Sequence, residues 1–131
     1  MASGSDRGIP FDIRKRTFLF AVRVVRFVGK LPKTTVAMEI GRQLVRAGSS
    51  VGCNVEEADG ALSRKDFVNH IRIARKEARE ARFWFRLIEA ADLLHDPELP
   101  ELTQEADELV RILSKIASTA AERQSPTAKP R

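Results

Sequence analysis

Four stretches of the chain place apolar residues at alternating spacings of three and four, and short breaks separate them. Leu99, Leu102, Ala106, Leu109, Leu113, Ile116 and Ala120 follow the pattern, as do Phe67, Ile71, Ala74, Ala78, Ala81, Phe85 and Ile88. A shorter stripe runs through Thr17, Phe20, Val24, Phe27 and Leu31, and another through Ala37, Ile40, Leu44, Ala47, Val51, Asn54 and Ala58. This spacing puts each set on one face of an α-helix, and alternation of the kind a strand needs is found nowhere. The breaks are Gly29-Lys30-Leu31-Pro32, Asp59-Gly60-Ala61-Leu62-Ser63 and His95-Asp96-Pro97-Glu98. Connections this short force successive helices to run antiparallel. The expected fold is therefore all-α, an antiparallel up-down-up-down four-helix bundle over residues 11–123. The expected helices are 12–30, 33–60, 63–94 and 98–122, with Ser63 and Asp66 as a capping pair and Pro32 in the first turn of the second. Residues 1–10 and 124–131, small, polar and proline-bearing, are expected to be flexible tails.

A chain of 131 residues with 43% hydrophobic content has enough apolar mass for one core and too little for two domains. Its longest apolar run, Phe18 to Val22 with Thr17, is far short of a bilayer span, and Met1 to Gly8 has no hydrophobic leader. The single cysteine, Cys53, cannot pair within the chain, so a reducing, cytoplasmic setting is expected. With only His70 and His95 beside it, no zinc spacing arises, and no metal or cofactor is expected.

The apolar surface exceeds what one bundle needs. The first segment has a second stripe, Phe18, Val22 and Val25, and the third has Ile73, Trp84, Leu87, Ala91 and Leu94. A helix apolar on two stripes must bury two faces, which predicts a homo-oligomer unless the core faces are simply broad. In the second segment Gly41, Gly48 and Gly52 share a face, at a cost of about 1 kcal/mol each relative to alanine. Either a neighbouring helix approaches closely there, with Ser49 and Cys53 widening the strip, or the helix bends.

Three blocks in order then resemble a known family. They are Gln43 to Ala58, Ser63 to Phe67, and Ala74 to Trp84. The chain is similar to the four-helix-bundle proteins of intervening sequences in bacterial 23S ribosomal RNA genes, over about Phe11 to Ala120. Gln43, Leu44, Arg46, Ser50, Asn54 and Glu57 match the family block QL-x-R-x-x-x-S-x-x-x-N-x-x-E-G, while Ala58 replaces its glycine and Gly60 follows two positions later. Ser63, Phe67, Glu77 and Trp84 complete the matching set. The resemblance implies a ring-like homopentamer, and a relation to accessory subunits of reverse transcriptases in diversity-generating retroelements, which bind nucleic acid and the enzyme through basic surfaces.

Charge is the clearest functional signal. The net charge is +5, and from Arg7 to Lys30 seven bases face one acid, whereas Asp92 to Glu108 holds seven acids and no lysine or arginine. Arg72, Arg75, Arg79, Arg82 and Arg86 form a stripe about 20 Å long at 1.5 Å per residue. Arg16, Arg23, Arg26 and Lys30 form another. Side by side, the two would make a surface for RNA or DNA phosphates. Alternatively the acids of the fourth segment pair with the first segment's arginines across subunits, or pairs such as Lys76 with Glu80 simply support a solvated helix. Phe83 and Trp84 lie near the arginines, but no RNA-binding motif accompanies them, so sequence-specific readout is not expected.

Asn54, polar on an apolar stripe, is expected to be structural, its amide holding a neighbouring helix, with Glu57 able to join it. Glu56, Glu57 and Asp59 oppose the helix dipole and call for a cation such as Arg64 or Lys65. His70 and His95 are expected at a boundary and in a last helical turn, and Cys53 as a small packing residue. No phosphate loop or nucleophile elbow occurs, and catalysis is not expected. The sequence thus points to a non-enzymatic module whose partners are its own copies, together with RNA, DNA or a nucleic-acid enzyme. A purely structural oligomer is the alternative.

Overall fold

The computed structural model describes residues 11–124, and among them only helices occur as regular elements: α1 (Phe11–Val28), α2 (Thr35–Asp59), α3 (Arg64–Ala90) and α4 (Glu98–Gln124). The tails expected at 1–10 and beyond Gln124 lie outside the described residues, and Gln124 itself ends α4. All four apolar stripes turn inward. The α3 stripe is wholly buried, and in α4 Ala117 is buried while Ile116 is half-covered. In α2 the buried position is Val55, and Asn54 sits at the edge of the core. Phe85 of α3 meets Phe20 and Phe27 of α1 edge-to-face, with centroids 6.4 and 5.6 Å apart, so α1 and α3 face each other diagonally through the core.

Local chemistry sets the ends. Ser63 Oγ accepts the Asp66 amide, as expected from the capping pair, and Thr34 Oγ1 accepts the Ala37 amide to start α2. Pro32 is therefore outside α2, because Thr34 supplies the cap. The third helix stops at Ala90 instead of 94. Asp92 adopts φ 56°, and the Leu93 amide bonds back to Ile88 O while Asp92 N bonds to Glu89 O. That is a Schellman closure with aspartate in the left-handed position. Ala91, Leu94 and His95 consequently lie beyond the helix. Asp96 Oδ1 then accepts the Glu98 amide at 2.8 Å and opens α4.

The glycine face of α2 lies against α1. A Cβ on Gly48 would stand 2.9 Å from both γ-carbons of Val24, and one on Gly41 would stand 3.0 Å from Val28 Cγ1. Close approach, not bending, accounts for these glycines. Cys53 is exposed and takes no part in that contact. Toward α4, by contrast, α1 stands off, and ion pairs span the gap.

Candidate nucleic-acid interface

The cations of α1 do not form a free surface. Arg16 holds Glu105 at 2.7 Å and Glu108 at 2.6 Å, Arg23 holds Glu98 at 3.0 Å and Glu101 at 3.2 Å, and Lys30 reaches Asp96 at 3.1 Å and Glu98 at 3.5 Å. Asp96 and the acids of the fourth helix thus neutralise Arg16, Arg23 and Lys30 within one chain, where the sequence offered a free basic surface with pairing between subunits as its alternative. The Arg16 guanidinium is pushed above its ordinary pKa, chiefly by its hydrogen bond to Glu105 against a desolvation cost. The Asp96 carboxyl is held low by the Glu98 amide and Lys30, and Glu108 by the Gln104 amide and Arg16. Of the first stripe only Arg26 is exposed without an ion pair among the described residues.

The stripe on α3 behaves differently. Arg72, Arg79 and Arg86 are exposed, Arg75 is half-buried, and none of the four has an ion pair or side-chain hydrogen bond among the described residues. The Arg75 Nε is buried with no acceptor among the described residues. Arg82 alone is bound, to Asp107 at 2.6 Å, and Asp107 also takes Arg111. Between these helices runs an open groove of about 430 Å³ with Arg82, Arg86, Thr103 and Gln104 in its walls. Because α1 and α3 are diagonal, the two stripes cannot lie side by side, and the joint basic surface expected from the sequence does not form. The Lys76–Glu80 support is not made either; Glu80 Oε2 instead accepts the Trp84 indole N–H at 3.2 Å.

The remaining motif residues gather along the α2–α3 seam. Asn54 Nδ2 donates to Ser50 O at 2.9 Å and to Ser50 Oγ at 3.1 Å, which turns its Oδ1 toward His70 Nδ1 at 3.1 Å. An amide oxygen only accepts, so His70 carries its proton on Nδ1. Asn54 therefore bridges helices as expected, and its partner is the histidine expected to be a mere boundary residue. The i,i+16 separation hid that pairing. Gln43 donates to Glu39, Ser63 caps, Phe67 is buried, Trp84 and Glu77 are half-buried, and Arg46 and Glu57 are exposed. Glu56 and Asp59 are met by Arg14 at 3.1 and 3.4 Å instead of by Arg64 or Lys65, since Arg64 lies over the Phe67 ring.

Residues 10–115 match the family described as 23S rRNA-intervening sequence protein. The chain belongs to that family. A crystal structure of a protein of unknown function from the S23 ribosomal protein family of Bacteroides thetaiotaomicron is similar, at 30% identity and TM-score 0.75, over 80% of this chain and 97% of that one. No curated protein matches. This intervening-sequence protein has no helix long and apolar enough to cross a membrane among the described residues, and no His, Cys, Asp and Glu group there that could hold a metal ion.

Proposed function

We propose that this intervening-sequence protein is a non-catalytic nucleic-acid-binding bundle that engages phosphate backbones through Arg72, Arg75, Arg79 and Arg86. One observation carries the reading: the fold neutralises nearly all of one basic stripe from the α4 side and leaves four arginines of the other without an ion pair among the described residues, on a single helix. Guanidinium groups in a row contact successive phosphates without reading bases, and such binding weakens steeply with salt. Reversing Arg72, Arg79 and Arg86 to glutamate should abolish retention of RNA and DNA while leaving helix content and assembly unchanged, as checked by filter binding, circular dichroism and light scattering. Unchanged retention would overturn the reading. Arg82 is left intact in that variant because it holds Asp107. A nucleic-acid enzyme such as a reverse transcriptase is the class of protein partner such a module would serve.

A second reading, assembly into a homo-oligomer with a pentameric ring as its form, is supported by the outer face of α1 and α2. There Phe18 and Val25 are 64 and 54% exposed, and Met38, 48% exposed, lines an open groove of about 450 Å³ together with Val28, Leu31, Ala37, Gly41 and Val45. On α3, Trp84 and Leu87 pack on the core within the chain and Phe83 alone of its large apolar side chains is exposed, so the broader uncovered apolar face is that of α1 and α2. Light scattering should give a mass of several subunits, falling to one in Phe18→Asp/Val25→Asp. A monomeric wild type would sink this reading.

A further inference from the structure

Phe83 projects from the outer side of α3 with 53% of its surface exposed. It lies four residues after Arg79 and three before Arg86, so one face carries cation, ring and cation in line over about 10 Å. Neither arginine has an ion pair among the described residues. The ring is braced: Trp84 meets it edge-to-face with centroids 5.3 Å apart, and the indole is itself tied to Glu80. A phenyl ring has no polar edge for hydrogen bonding, and exposing it to water is unfavourable without a partner.

We propose that Phe83 is a base-stacking platform, and that the nucleic acid taken by this face is single-stranded. The inference rests on the phosphate-binding reading of α3 and adds its substrate class. In a duplex the bases stack on one another and present only edges, so an isolated ring outside the grooves gains nothing. A single strand offers unstacked bases and phosphates together, which matches a ring flanked by guanidinium groups. An apolar protein surface placed there would instead strip water from Arg79 and Arg86 without replacing it. Because any base has a stacking face, the selectivity is for strand state and not for sequence.

Trp84 is the only tryptophan and there is no tyrosine, so intrinsic fluorescence reports directly from beside Phe83. The full chain would be titrated with a homothymidine oligonucleotide, an abasic strand of the same length, and a duplex of matched charge. The base-bearing strand should bind on the order of tenfold more tightly than the abasic one and change the Trp84 emission. In Phe83→Ala that advantage should vanish while abasic-strand affinity and its salt dependence persist, and Phe83→Tyr should restore it. An unchanged preference in Phe83→Ala, or a duplex bound as tightly as the single strand, overturns the inference. So does a change of oligomeric mass in Phe83→Ala, which would make the ring a protein contact. Loss of the base advantage alone leaves the phosphate reading standing; equal binding of the abasic strand by wild type and the Arg72/Arg79/Arg86 reversal overturns that reading instead.

Discussion

Helix α1 is held on its two sides by opposite physics. Toward α2 it lies against a glycine face, with Val24 and Val28 filling the space where side chains would stand. Toward α4 it stands off, and Arg16, Arg23 and Lys30 reach across to five carboxylates. The first contact is apolar and short-ranged, so it is indifferent to salt and intolerant of volume. The second is made by long, partly exposed side chains in high dielectric, so it tolerates volume and responds to salt and pH. The same contrast separates the two basic stripes. Acids on and just before a neighbouring helix take up most of one, while of the other only Arg82 is paired among the described residues.

The largest expected break is on the close side. Gly48→Leu should cost about 3 kcal/mol in urea unfolding, equally at low and high salt, because the new side chain meets Val24 at once. Val24→Ala in the same chain should return part of that loss, which tests whether the clash is the cause. On the wide side, Arg16→Ala should cost about 1 kcal/mol at low salt and clearly less at high salt. A salt-independent loss would mean that packing of the arginine stem, not its charge, closes the gap.

Acid should act on the same wide seam. Asp96 and Glu108 have carboxyls held below their ordinary values of 3.8 and 4.5. A group with a lowered folded pKa stabilises the fold above its unfolded value, and the contribution is lost as the pH falls through the folded one. The urea midpoint should therefore drop as the pH falls below about 4, and the drop should be smaller in Arg16→Ala/Lys30→Ala. The smallest expected effect is away from both seams. Asp92→Gly should raise stability by about 0.5 kcal/mol, since glycine adopts the φ of 56° there without a Cβ penalty. No gain would show that the Asp92 side chain offsets its own strain.

Much of the fold was legible because helical periodicity is local. Each stripe, and the Ser63 cap, could be read from residues within a few turns of one another, and the structure buries those stripes. The misread boundaries share a cause. Helix α3 ends early through a left-handed aspartate, and α2 begins at a threonine cap two residues after Pro32; both depend on backbone geometry that residue type only weakly constrains. The candidate site was half legible. The α3 arginines were identifiable from spacing alone, and so was the excess of acids in α4, but their partners were not. Nothing near Arg16 in the chain indicates that Glu105 will hold it, and nothing near Asn54 marks His70 as its acceptor's partner.

By itself, then, the sequence determined which residues share a helix face, that four such faces must pack antiparallel, and that both basic stripes exist. Only the tertiary structure decided which of the two is paired among the described residues. Helix-face membership follows from a rise and a turn per residue, which are intrinsic to the backbone. Charge pairing depends on which helices become neighbours: α4 settles beside α1 and pairs with Arg16, Arg23 and Lys30, while of the α3 stripe it ties only Arg82, and Arg72, Arg75, Arg79 and Arg86 have no ion pair among the described residues.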